Sequence, residues 1–334
     1  MLKRLWWIKL WCIGVLTSLT LTTCQSGPKA EIDEPSPEKD LVTEGESAEP
    51  TFSPRGDRLL FVSRARKGHT RFQVYEKDLT NGTERRITFQ NGQINSPLYH
   101  PKEEGIIYSS STDELKEAVP QAQLPKPNTK LPEHYLEPFE IYSHAFKGLE
   151  IVRLTRNPGF DGEARFSQNG NLIYFTRIRN NRPELFVMNR DGNGLRALGE
   201  ISKPATQLVE HAKMRAWVEW SDDFKATHLM IQFGKEKSRE VRSGLKAIRT
   251  DLEFSRDGKW LLWAERGENG RYEIWGFDVK ENCARPLLQA SEDRRHPTLS
   301  PDGKWLTFTS WRKGRSRIAQ LPFRGETGAC VIDP

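Results

Sequence analysis

The sequence predicts an all-β chain closed into a six-bladed β-propeller, and three observations carry that prediction. The first is a hairpin unit over residues 297–308, in which two apolar runs flank Pro301-Asp302-Gly303. Proline presets φ for the turn and glycine accepts positive φ, so the unit reads as strand, tight turn, strand. The second is repetition. Related units lie at 50–61, 164–175 and 252–263, with weaker ones at 97–108 and 218–223. Their anchors are Phe52, Tyr99, Phe166, Trp220, Phe254 and Leu299. The spacing, roughly 35 to 65 residues, surrounds the ~40–45 of a four-stranded blade. The third is Leu41-Val42-Thr43, a strand-like segment with no blade before it. Similar segments, Arg85-Arg86-Ile87-Thr88 and Val152-Arg153-Leu154-Thr155, end other repeats. The early segment is expected to pair with the last blade, closing the ring and removing an open sheet edge.

Taken in order, the chain opens with a targeting segment. Lys3, Arg4 and Lys9 accompany an apolar stretch at 10–21 that is too short and Thr-rich for a transmembrane helix, so residues 1–23 read as a signal peptide. Leu21-Thr22-Thr23-Cys24 resembles the lipobox of bacterial lipoproteins, which implies lipidation at Cys24. Thr23 departs from the small residues favoured there, leaving ordinary cleavage or an uncleaved anchor open. All three readings export the protein. Ser26, two residues after Cys24, implies by the same resemblance the outer membrane, with the domain facing the periplasm. Residues 24–40, rich in Pro, Glu, Asp and Ser, read as a disordered acidic tether.

The propeller is expected over 41–323, with a tail at 324–334. Blade one uses 59–62, 72–75 and 86–88. Blade two is interrupted by a Pro-rich, charged insertion at 112–137, a loop length often tied to function. Blade three is the most regular. Blade four is degenerate: 201–215 has a helical look, and only 229–233 is a clear strand. Blades five and six recover, with third strands at 272–275 and 316–321.

The hairpin followed by an aromatic strand and an Arg-Leu-Thr-like strand resembles the WD40-like (PD40) repeat of the TolB β-propeller. The matching residues are Phe52-Ser53-Pro54, 254–259, 299–304 and 186–192. The likeness spans about 41–323 and implies the fold. It implies function only weakly, because one fold hosts many functions. TolB carries an α/β domain before its propeller, and here only the short tether precedes Leu41, so the TolB partner set is not carried over. The likeness is closer to propeller-only, TolB-like lipoproteins.

No catalytic motif is legible. There is no Gly-x-Ser-x-Gly elbow, no His-Glu-x-x-His, no Cys-x-x-Cys and no Gly-rich phosphate loop. The seven histidines lack metal-like spacing, so neither metal nor cofactor is expected. The best constellation comes from the repeat itself. Residues just before each first strand, namely Glu49, Ser96, Glu163, Trp217, Asp251 and His296, are expected at the channel mouth. Arg165, Glu219 and Glu253 follow two positions later. Gathered carboxylates raise one another's pKa, hold a cation or receive a basic peptide; the plain alternative is a hydrated polar funnel. Cys283 and Cys330 are open to bridging in an oxidising compartment, pinning the tail to blade five.

The formal charge is +6. Without a basic helix or RNA-binding motif, a solvated Lys/Arg surface accounts for it better than nucleic acid does. The sequence therefore reads as an exported, lipid-anchored propeller that binds envelope proteins and is not an enzyme. The rival is a small-ligand, glycan or metal-binding propeller, or a hydrolase or lyase using the mouth carboxylates.

Overall fold

A computed structural model describes residues 38–113, 130–148, 150–243, 247–267, 269–289, 292–325 and 329–332. The targeting segment, Cys24, the tether up to 37 and most of the blade-two insertion lie outside the described residues. Six antiparallel sheets follow one another along the chain as the blades of a propeller. Their inner strands are Glu46–Phe52, Ile94–Tyr99, Asp161–Phe166, Ala205–His211, Arg249–Phe254 and Asp293–Leu299. Among the described residues the one helical element is a 3-10 turn, Glu133–Leu136.

Each blade buries both faces, and the second strand shows how. In Arg58–Arg64, Leu59 and Phe61 pack toward blade six with Val42 and Ile318, whereas Leu60 and Val62 pack toward blade two with Ile106 and Tyr108. Parity decides the neighbour, because successive side chains leave opposite faces of a strand. Burial on both sides makes these strands continuous apolar runs, not the alternating pattern of a sheet with one wet face. Comparable cores fill the other inter-blade spaces, so the core is a ring of six seams.

Lys39–Val42 closes the ring. It is the outer strand of blade six, antiparallel to Arg315–Pro322, with Val42 opposite Ile318. Val42 is fully buried there. At the other end of the chain, Val331–Ile332 adds a fifth strand to blade five, and Cys283 is disulfide-bonded to Cys330.

Blade four departs from the sequence reading. It has four strands, and the stretch with a helical look forms Ala205–His211 and the start of Met214–Trp220. The source of the misreading is turn chemistry. In blades one, three, five and six a serine oxygen accepts the N–H five residues on, as Ser300 does from Trp305 at 3.0 Å, and closes the first hairpin. Ser221 makes the same bond to Ala226 at 3.1 Å, but between the second and third strands. Trp220 therefore ends the second strand of blade four and is not the anchor of its first.

Candidate functional site

All six inner strands share one irregularity. Their ladders slip after Ala48, Asn95, Gly162, Thr206, Thr250 and Arg295, leaving two residues unmatched each time. The first unmatched residue is Glu49, Ser96, Glu163, Gln207, Asp251 or His296, and every one is left-handed, with φ from 51° to 62°. Side chains rarely tolerate that conformation, which costs about 1 kcal/mol or more per residue unless the surroundings hold it. Neighbouring blades do hold it. The Asp251 N–H donates to Gln207 Oε1 at 2.7 Å, the His296 N–H to Asp251 Oδ2 at 3.1 Å, and the Ser96 N–H to the Glu49 carboxylate. The Glu49 and Gln207 N–H groups donate to Thr309 and Thr176 hydroxyls. Proline follows in three blades (Pro50, Pro97, Pro297), where its missing N–H costs nothing because the ladder is already broken.

Five of the six positions expected at the mouth thus form this ring. Trp217 does not. It lies on the second strand of blade four, 4% exposed, among Tyr174, Leu185 and Leu208. Its Nε1 donates to Glu219 Oε1 at 3.1 Å, and Glu219 pairs with Lys203 at 3.3 Å, so neither belongs to the mouth. Gln207 takes the place. The signal was present: Thr206-Gln207-Leu208-Val209 matches Thr250-Asp251-Leu252-Glu253.

The ring surrounds a cavity of about 380 Å³, with Arg165, Glu253, Arg295 and His134 also in its wall. The end of the blade-two insertion contributes His134 and Glu137 to its wall. Tyr135 is buried against Phe139, Phe160 and Trp220, and its hydroxyl donates to Glu163 Oε1 at 3.0 Å. His134, the adjacent residue, faces the cavity. Sequence reasoning missed His134, Tyr135 and Arg295, since no repeat position marks them.

The carboxyl groups differ sharply in environment. Burial disfavours the charged form of Asp251, but Arg295 grips both its oxygens at 3.1 and 3.2 Å, and with His296 holds it well below the usual carboxylate range. Burial pushes Glu49 up to about 7 against the Ser96 N–H, with the Asp251 charge adding to the rise. Glu253 is likewise pushed to about 7 by burial, only partly offset by the Thr298 hydroxyl at 2.5 Å and by Arg165. Burial raises Glu163 too, against bonds from Gln207, Thr176 and Tyr135. Burial holds His296 neutral, near 4, despite Asp251. Paired carboxyls split in this way are what acid–base chemistry at neutral pH requires. Among the described residues no three His, Cys, Asp or Glu side chains converge as a metal-binding group.

A second cavity of about 460 Å³ opens at the other end of the channel, walled by Phe52, Phe166, Phe254, Leu98 and Leu299. Thr51, Arg165 and Glu253 line both cavities and form the floor between them.

No family model matches the chain. Over 155 residues it is 24% identical to an uncharacterized peptidase, YuxL, of Bacillus subtilis, covering 44% of this chain and only 21% of that relative. Among solved structures, TolB from Acinetobacter baumannii superposes with a TM-score of 0.57 at 17% identity, covering 88% of this chain and 66% of that one. Oligogalacturonate lyase from Vibrio parahaemolyticus gives 0.57 at 14% identity, covering 88% and 95%. Acylaminoacyl peptidase from Pyrococcus horikoshii gives 0.57 at 10% identity, covering 86% and 45%. The chain therefore has the TolB-like six-bladed propeller fold. The expectation that it is not an enzyme is corrected. Chains with this fold include a lyase and peptidases, and the propeller spans 95% of the lyase. A missing hydrolase elbow is no argument against catalysis on such a scaffold.

Proposed function

We propose that the protein is an exported propeller whose channel mouth binds a small polar ligand and acts on it by acid–base chemistry, as a hydrolase or lyase. The observation that carries this reading is the cavity of about 380 Å³ where Glu49 and Glu253, both pushed to about 7, face ionised Asp251. One of the two glutamates takes a proton from the ligand while the other supplies one to a leaving group. Arg295 and the His296 N–H keep Asp251 charged. Coverage supports a lyase-like arrangement over a peptidase-like one, because the propeller matches 95% of the lyase and 45% of the peptidase. Export is supported by the Cys283–Cys330 disulfide, which suits an oxidising compartment. Lipid anchoring through Cys24 and an outer-membrane location belong to the same proposal.

The test is turnover. The purified protein is incubated with panels of oligosaccharides, acidic and neutral, and of short peptides, with products read by mass spectrometry and by ultraviolet absorbance of new double bonds. The expected result is cleavage in one panel that falls at least about 100-fold in Glu49→Gln or Glu253→Gln. Cleavage that survives both changes contradicts the assignment. The second reading, capture of an envelope protein, is favoured by the apolar wall of the second cavity. It calls for crosslinking in intact cells followed by affinity capture.

A further inference from the structure

We infer that the floor of the channel mouth recognises a carboxylate on the ligand, and that Arg165 is the residue that takes it. This rests on the proposed ligand site and names the chemistry of what enters it. Arg165 stands apart from the other cations of the mouth. Arg64 pairs with Glu46 at 2.8 Å, and Arg295 is engaged by both oxygens of Asp251. The Arg165 side chain donates from Nη1 to the Ala164 carbonyl of its own strand at 3.0 Å, and no carboxylate among the described residues lies within ion-pair distance. A guanidinium has five N–H donors in a planar fork, so most of this one remains directed to the channel.

The surrounding acids already have other partners. Glu163 accepts from Tyr135, Thr176 and Gln207; Glu253 accepts from Thr298; Glu49 accepts from the Ser96 N–H. Arg165 also occupies the floor, lining both cavities, so a ligand entering the mouth meets it at full depth. A forked monoanion satisfies the guanidinium with two parallel hydrogen bonds. A phosphate dianion would bring a second negative charge beside Asp251, and the other described cations of the mouth, Arg64 and Arg295, are already paired.

The charges facing Arg165 give this recognition a pH dependence. Glu49 faces it from blade one, Glu163 from its own strand, Asp251 and Glu253 from blade five, Arg295 and His296 from blade six. From the insertion come His134, a ring that burial keeps neutral, and the Glu137 carboxylate, while Glu46 and Arg64 at the rim pair with each other. Asp251 and Arg295 cancel. Glu49 and Glu253 are neutral in acid and able to donate to a bound carboxylate, then become charged and repel it as pH rises through about 7.

The test compares acid and neutral forms of two small probes by calorimetry: N-acetyl-dialanine against its C-terminal amide, and glucuronate against glucose. The expected result is that one acid binds at least about tenfold more tightly than its neutral form at about pH 6. Its affinity should drop about tenfold by pH 8, and Arg165→Gln should abolish the preference. The peptide pair and the sugar pair separate the two sources of carboxylate. Arg165→Lys, which keeps the charge and loses the fork, should retain part of the preference and serves if the glutamine variant does not fold. Equal binding of acid and neutral forms overturns the inference, as does an acid preference that persists in Arg165→Gln. Binding by none of the four probes up to about 10 mM overturns it as well. If neutral forms bind equally and Glu49→Gln weakens them, the mouth stays a ligand site and only the carboxylate assignment falls.

Discussion

Glu49 and Glu253 sit where an ionised carboxylate is poorly solvated, and the folded protein therefore keeps their protons to about pH 7. An unfolded chain releases the same protons near pH 4.3. Between those values the folded state binds more protons than the unfolded state, so stability falls as pH rises through that window and stays lower above it. Removing the charge should reverse the loss. Glu49→Gln and Glu253→Gln are each expected to gain on the order of 1 kcal/mol at pH 8 and nothing near pH 4, discounted for their partial exposure; melting curves at the two pH values decide it. Asp251 behaves oppositely. Its lowered pKa contributes stability above the usual carboxylate range, lost as pH falls through and below that range. Asp251→Asn leaves Arg295 without its partner and should cost about 2–3 kcal/mol at pH 7, read from denaturant midpoints.

The inner strand with its break is the element that makes the mouth. Six left-handed residues aim their side chains across one ring, and the N–H groups of Glu49, Ser96, Gln207, Asp251 and His296 find side-chain acceptors on neighbouring blades, so sequence repetition becomes a site. Five of those positions were legible, because the turn signature after each strand fixes where its predecessor lies. The sixth was not, because Ser221 builds the same turn one hairpin later and drew the reading onto Trp217. His134 and Tyr135 were invisible for another reason: the insertion has no repeat to align against. Packing between turns gives a further test. Gly170, at φ 77°, would place a Cβ 2.3 Å from His100 Nε2, whereas Gly303, at φ 70°, has open space. Gly170→Ala should therefore cost about 2–3 kcal/mol and Gly303→Ala about 1 kcal/mol, compared by chemical denaturation.

At the scale of the molecule, the ring must close without leaving an edge. The closing strand was readable from Leu41 to Thr43 because the segment had a repeat's ending and no repeat's beginning; in the structure it is Lys39–Val42. The tail latch was readable only as two cysteines, since a two-residue strand such as Val331–Ile332 carries no periodicity. Cys330→Ser should lower stability by about 2–4 kcal/mol, and reduction of the wild type should do the same while leaving the variant unchanged. Both closures hold the blades that carry Asp251 and His296, so fold and site share one support. The central claim is that this mouth holds proton-carrying carboxyls at neutral pH. The most direct measurement is an NMR titration of glutamate side-chain carboxyls, 13C-labelled, in the wild type and in the Glu49→Gln and Glu253→Gln variants. The expected result is three glutamate carboxyls titrating near 7, those of Glu49, Glu253 and Glu140, with the Glu49 signal absent from Glu49→Gln, the Glu253 signal absent from Glu253→Gln and the Glu140 signal present in both. A profile in which every glutamate titrates below about pH 5 would contradict it.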